Sequence, residues 1–396
     1  MKFKRQNRNS SGYLFLALST FAFAAVSLGF NGYAALSNSF ISEISLTFTD
    51  SAWMMSFFAV AYATMQIPAG FFSDKFGGKR ILVVAVMAFT ISCLLFLISN
   101  NFQTAILSRL LMGASGGLVL PAAIRTLLLM FHPSDLSRAT GILGTGWGLG
   151  LILSFVVIPS IIYASWRSGV LFITIFASVI ALATVSFLLL KKPAIRVSAQ
   201  IQYRFKEVFQ KRIFYAILIN FTLVGVLTNV TTWAPLFLTT ELGIPLVTGG
   251  VISATIGLAG IISSFAGGVM AKRFGDEIII AISMLMCLFF PFLLAFSSTS
   301  LLAFAIIFMI GWATFFCYGP ILALVTLSVR EENSGAAFGF FNSLSFIGAF
   351  AYPLITGPIL DMSGQLALSF YATGLLAIIG VMASILISRN KKVISP

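Results

Sequence analysis

Two arginines stand inside a stretch that is otherwise almost free of charge. Arg109 and Arg125 both fall within the apolar run Phe102–Met130. A guanidinium in such a place is costly unless water, an anion or backbone carbonyls meet it. Arg109 therefore has two readings: it attracts or holds an anionic group, or it is a structural arginine bonded to helix carbonyls. Sixteen residues at about 1.5 Å each set Arg125 about 24 Å from Arg109 along a helix, and nearly on the opposite face. The two cannot clamp one small molecule, and Arg125 is expected to snorkel to the interface. Each of the 11 acidic residues can be assigned to a loop or a helix end. No central carboxyl is thus available for a proton relay. The single histidine, His132, lies beside Pro133 at the end of the same run and reads as a surface residue.

The elements that position these groups are membrane helices. Hydrophobic residues make up 59% of the 396-residue chain and charged residues 9%, too few charges to cover a water-soluble domain of this size. A bilayer core takes about 20 residues of helix per crossing. The apolar runs predict twelve such helices, near Tyr13–Tyr33, Ala52–Phe72, Ile81–Ser99, Phe102–Met130, Ala139–Ile161, Gly169–Leu190, Ile213–Leu238, Leu246–Met270, Ile278–Ser297, Leu301–Leu327, Gly335–Ile355 and Leu366–Ile387. The first run is too long for a signal peptide and reads as helix 1. With the N-terminus in the cytoplasm, all but three of the 24 lysines and arginines fall on that side; the exceptions are Arg109, Arg125 and Arg167. Glu43, Asp50, Glu241 and Asp361 fall on the other side, and an even number of spans leaves both termini cytoplasmic. The formal net charge of +13 follows from this sorting. No basic stripe with stacking aromatics suggests nucleic acid. Cys93, Cys287 and Cys317 fall within spans, so no disulfide framework is implied. No metal-ligand cluster, nucleophile triad or cofactor motif appears, so neither an enzyme nor a bound cofactor is expected.

The halves repeat. The long connector predicts residues 1–190 as one six-helix bundle, 191–211 as a cytoplasmic linker and 212–396 as a second bundle. An offset of 198 residues sets Gly70 on Gly268, Gly77 on Gly275, Gly113 on Gly311, Gly141 on Gly339 and Gly150 on Gly348. It also sets Asn31 on Asn229, whereas Arg109 and Arg125 meet Ile307 and Ala323. A parallel repeat of this kind predicts two bundles about an axis along the membrane normal, with a cavity between them.

Between the second and third helices runs Gly70-Phe71-Phe72-Ser73-Asp74-Lys75-Phe76-Gly77-Gly78-Lys79-Arg80. It resembles the G-x-x-x-D-[RK]-x-G-[RK]-[RK] loop of the major facilitator superfamily, with Gly78 in place of one basic residue. Gly268-Val269-Met270-Ala271-Lys272-Arg273-Phe274-Gly275 is a degenerate second copy. Arg109, Gly113, Gly117 and Pro121 are similar to the family's helix-4 pattern, and Trp166-Arg167 to its helix-6 start. The resemblance implies an all-α membrane fold of twelve helices in two six-helix bundles. It also implies a transporter moving a small solute by alternating access. Gly70, Asp74, Lys75, Gly77, Lys79 and Arg80 would form a latch on the cytoplasmic side. From the residues themselves, Gly70 and Gly77 suit close helix approach and a tight turn. Gly141-Ile142-Leu143-Gly144-Thr145-Gly146-Trp147-Gly148-Leu149-Gly150 suits close helix packing. It lacks the Gly-Pro pair of the family's drug–proton antiporters.

Other candidate substrate contacts are Asn31, Gln66, Trp147, Asn220, Asn229, Trp312, Tyr318 and Asn342, on helices that line the family's cavity. Each could equally bond a neighbouring helix. Because no acid neutralises Arg109, a small organic anion is the favoured substrate class. Export of amphipathic drugs is the alternative, and a membrane receptor or enzyme is a third class. The expected partners are the small-molecule substrate, the lipid bilayer and a coupling ion left open. The protein is expected to act as a monomer in the cytoplasmic membrane.

Overall fold

A computed structural model describes residues 8–162, 165–190, 210–329 and 334–389. Among them are twelve helices long and apolar enough to cross a membrane. They are α1 (Ser11–Ile44), α2 (Phe48–Phe76), α3 (Gly78–Leu97), α4 (Phe102–Met130), α5 (Arg138–Ile161), α6 (Trp166–Leu190), α7 (Lys211–Thr240), α8 (Leu246–Phe274), α9 (Asp276–Ala295), α10 (Ser300–Val325), α11 (Gly339–Ser363) and α12 (Ala367–Arg389). One-residue turns at Cys317, Phe346 and Ala377 interrupt the last three. Most of the expected linker, residues 191–209, lies outside the described residues. So do Lys2, Lys4, Arg5, Arg330, Lys391 and Lys392.

Local chemistry sets the helix ends. The Thr47 hydroxyl accepts from Asp50 N, and Asp50 accepts from Thr47 N, a reciprocal cap that starts α2. Asn101 caps α4 through Thr104 N at 2.9 Å. Gly77, at φ +89°, supplies the turn from α2 to α3 that a side chain would strain. The first helix runs well beyond its apolar stretch. Phe40 packs on Trp166 and Phe96, with ring centres 4.8 and 5.6 Å away, and this burial carries the polar Ser37–Glu43 segment as helix. Many exposed positions on the spans are apolar, as at Ile91, Leu182 and Leu301.

Helices α1–α6 form one bundle, with α2 on α4, α1 on α5 and α3 on α4 and α6. Helices α7–α12 form the other, with α10 on α8 and α7 on α11 and α12. Across the halves, α2 meets α11, α5 meets α8, and α1 meets α7. Lys75, Arg80, Arg138, Lys211, Lys272, Arg273 and Arg389 gather at one end of the molecule, the basic face; Glu43, Asp50, Glu241 and Asp361 lie at the other, the acidic face.

Candidate functional site

The interface between the halves is closed toward the acidic face. Asp361, from α11, accepts Phe48 N at 2.7 Å and Thr49 N at 2.9 Å. A carboxylate of one half thus holds two free N–H groups at the N-terminus of α2, where the helix dipole favours negative charge. Further in, Ser56 donates to Phe350 O at 2.8 Å and Ser343 to Ala63 O at 2.8 Å. Asn342 Nδ2 donates to Gln66 Oε1 at 2.6 Å. On the other seam, a Cβ at Gly250 would strike the Phe155 carbonyl, and one at Gly257 would lie 3.1 Å from Ile152.

Toward the basic face the same helix faces separate. Ala52, Ser56, Ala63 and Gln66 form the α2 stripe that meets α11, and Gly70 is its next member at helical spacing. Gly339 likewise continues the stripe of Asn342, Ser343 and Phe350. Gly141 and Gly144 continue that of Phe155, Ile152 and Gly148; Gly268 continues that of Gly250 and Gly257. A Cβ at Gly70, Gly141, Gly144, Gly268 or Gly339 would meet nothing within 4 Å among the described residues. The expected close approach at Gly70, Gly141 and Gly144 is therefore absent in this conformation, because the halves have parted there. Gly146 and Gly150 do pack as expected, against the backbone of α1.

Midway along the helices lies an aromatic cluster drawn from both halves. Tyr62 (α2) and Phe346 (α11) have ring centres 4.8 Å apart. Trp147 (α5) sits 6.2 Å from Tyr62, 6.1 Å from Phe346 and 5.8 Å from Phe30. Ser27 donates to Trp147 O at 2.6 Å and fixes α5 to α1 at this level. Tyr318 stands on α10, directly after the turn at Cys317.

Arg109 lies beside this cluster and is fully buried. Gly113 and Gly117 bring α4 onto the α2 backbone at Phe58 and Tyr62, so the arginine reaches both α2 and α1. Its Nε donates to Met54 O at 3.0 Å, Nη1 to Gly29 O at 2.6 Å and Nη2 to Phe30 O at 3.4 Å. Its Cζ stands 4.7 Å from the Phe58 ring centre and 5.1 Å from that of Tyr33. The carbonyls supply hydrogen bonds but no negative charge. Nη2 also reaches Met55 Sδ at 3.6 Å; the sequence marks this residue as the key charge but not its partners, which are three backbone carbonyls and one thioether.

The other candidates separate by their bonds. Asn31 Nδ2 donates within its own helix, to Ser27 O and Oγ. Asn229 donates to Thr373 Oγ1 at 2.6 Å and accepts from Thr356 Oγ1 at 2.7 Å, joining α7, α11 and α12. Trp233, missed in the sequence, donates to Thr356 at 3.0 Å in the same network. Asn220 is buried, its amide nitrogen without a partner among the described residues. Trp312 packs at a tilt between Phe308 and Phe316 of its own helix. Gln66 and Asn342 are the candidates that meet across the halves.

At the basic face Arg125 does not simply snorkel: its Nε pairs with Asp74 Oδ1 at 2.5 Å. The acid of the Gly70–Arg80 motif is thus held by α4, in its own half, in this conformation. Gly78 backs onto Thr126 and Ala122 of α4, which explains why the position carries no basic side chain. Lys75 lies over Phe76 and Lys79 over Phe187. Arg167, at the acidic face, bonds Glu43 and the Ser99 carbonyl and stacks on Trp166.

The family model described as Major Facilitator Superfamily matches residues 13–353. The hexuronate transporter of Bacillus subtilis (strain 168) is 24% identical over 372 residues, covering 87% of this chain and 86% of that protein. A probable sulfoacetate transporter of Cupriavidus necator is 24% identical over 385 residues, covering 89% and 88%. Among solved structures, a bacterial homologue of the human lysosomal transporter Spinster, in an inward-facing and occupied conformation, superposes with a TM-score of 0.82 at 15% identity over 98% of each chain.

Proposed function

The chain belongs to the major facilitator superfamily, and from that premise we propose that it carries a small organic anion across the cytoplasmic membrane by rocking two bundles about the aromatic midpoint. The bundles are residues 1–190 and 212–396, joined by the linker 191–211. The basic face is the cytoplasmic one, as the distribution of lysine and arginine favours, and both termini lie there. On that orientation the conformation described is open to the cytoplasm and locked on the outside by Asp361. In the opposite state, Gly70 and Gly339 on one seam, and Gly268 and Gly141 on the other, come together. The two pairs are exchanged by the internal repeat, as an alternating mechanism about a pseudo-twofold axis requires.

The observation that carries the substrate class is Arg109, a buried cation whose partners are all neutral. Its distances to the Phe58 ring and from there to the Tyr62 ring, 4.7 and 6.4 Å, put the charge within about 11 Å of the central cluster. In a low-dielectric interior the charge acts over that range without touching the solute. The two relatives named above, a hexuronate transporter and a probable sulfoacetate transporter, are described by substrates that are organic anions. The test is a thermal-shift screen of the purified protein against organic anions, neutral sugars and cationic amphipaths. Stabilisation by one or more anions is the expected result; stabilisation only by the cationic or neutral compounds would reverse the assignment.

A further inference from the structure

One pair of side chains spans the halves at the level where they begin to part. Gln66 and Asn342 are 3% and 4% exposed and share a single hydrogen bond. Toward the basic face, the next stripe positions are the glycines Gly70 and Gly339, which face open space. Toward the acidic face, one turn from each amide, stand Tyr62 and Phe346, whose rings meet and abut Trp147. The pair therefore lies between an aromatic roof and the open space beside Gly70 and Gly339, itself buried in this conformation.

The bonding of this pair is incomplete. Gln66 Nε2 is buried and has no acceptor among the described residues. Two primary amides joined by one N–H···O contact always leave one amino group and one carbonyl oxygen for other partners, whichever way each amide is turned. A buried donor without an acceptor is destabilising, so a guest that supplies one gains from it. The complementary guest offers an acceptor and a donor close together. A hydroxyl group does both. A hydroxyl beside a carboxylate does so on a molecule whose charge suits Arg109.

We propose that Gln66 and Asn342 are specificity-determining contacts for hydroxylated organic acids, with the Gln66 amino group donating to a substrate oxygen and the Asn342 carbonyl accepting from a substrate hydroxyl. The inference rests on the organic-anion reading and narrows it. Unhydroxylated acids of the same charge and length would feel Arg109 but leave the amide pair as it is. Asn31 and Asn229 do not serve this role, because their amides are committed inside one half.

Gluconate and hexanoate test this directly, having the same charge and six-carbon chain but differing in hydroxyl groups. Affinities are measured for purified protein in nanodiscs by calorimetry, for wild type, Gln66→Leu, Asn342→Leu and the exchanged pair Gln66→Asn with Asn342→Gln. Wild type should prefer gluconate. Each leucine variant should weaken gluconate by about tenfold or more and leave hexanoate within about twofold, while the exchanged pair retains the preference. Gln66→Met, similar in length to glutamine, replaces Gln66→Leu if that variant does not fold. Equal weakening of both acids, or a wild-type preference for hexanoate, overturns the specificity role while the organic-anion reading stands. Binding of neither acid, nor of glucuronate, by the wild type would take down both.

Discussion

Replacing Arg109 separates a charge that acts at a distance from one that grips the solute. At about 11 Å and an effective dielectric of about 20, a unit cation and a unit anion attract by about 1.5 kcal/mol, or about tenfold in affinity. Arg109→Gln removes that attraction, and Arg109→Lys keeps it. Both variants disturb the bonds to Gly29 O, Met54 O and Phe30 O, so both should be less stable than wild type, by about 1–3 kcal/mol for each buried group left unpaired. Stability and affinity must therefore be read separately. Melting temperature reports the first. Calorimetric titration of the folded fraction with a transported organic anion reports the second. Arg109→Lys should bind within about threefold of wild type, and Arg109→Gln about tenfold more weakly. If a planar guanidinium fork held the anion directly, lysine would be nearly as poor as glutamine. Equal losses in the two variants would refute action through the field, and no loss in Arg109→Gln would make the residue purely structural.

Other consequences follow from the seams. Asp361→Asn keeps the shape of the side chain but removes the charge held by the α2 N-terminus. A loss of about 1–2 kcal/mol would move the populations about 5- to 30-fold toward opening of the acidic face; distances between spin labels at Ser42 and Met362 should lengthen, and an unchanged distribution would show that Asp361 is no lock. Gly70→Leu should leave the melting temperature close to wild type, since its side chain enters open space, yet abolish transport by blocking the opposite state. Gly78→Leu should instead destabilise the fold, because the new side chain collides with Thr126 and Ala122; transport by a stable Gly70→Leu protein would contradict the proposed closure. In intact cells, a membrane-impermeant thiol reagent should label Met362→Cys and miss Lys272→Cys, both at exposed positions. The native cysteines are buried and should not interfere. The reverse pattern would invert the orientation.

The fold was legible because lipid imposes one rule on every span, and twelve apolar runs satisfied it. The helix borders were less so. Ser37–Glu43 reads as a loop by composition, and the packing of Phe40 on Trp166 and Phe96 carries it as helix. The site was legible by residue type but not by partner. Arg109 stood out as a charge among apolar residues, but its acceptors are carbonyls on helices 55 to 80 residues away, and backbone atoms leave no trace in composition. Asp361 appeared as an ordinary loop acid for the same reason, since its partners are the N–H groups of Phe48 and Thr49. Arg125 and Asp74 are both visible in sequence, but their pairing depends on how closely α4 lies against the α2–α3 turn. The repeated glycines carried more than expected. Gly70, Gly141, Gly268 and Gly339 mark the surfaces that are open now, which a single conformation places side by side with the closed part of the same stripes.

The central claim is that this chain moves small organic anions by alternating access. Its most direct test is uptake by purified protein in sealed proteoliposomes, with radiolabelled glucuronate, gluconate, sulfoacetate, a neutral sugar and a cationic amphipathic dye supplied in parallel. Saturable uptake of at least one of the anions is expected, faster when the vesicles are preloaded with the same unlabelled anion, and none in protein-free vesicles. Uptake confined to the neutral or cationic compounds would contradict the claim.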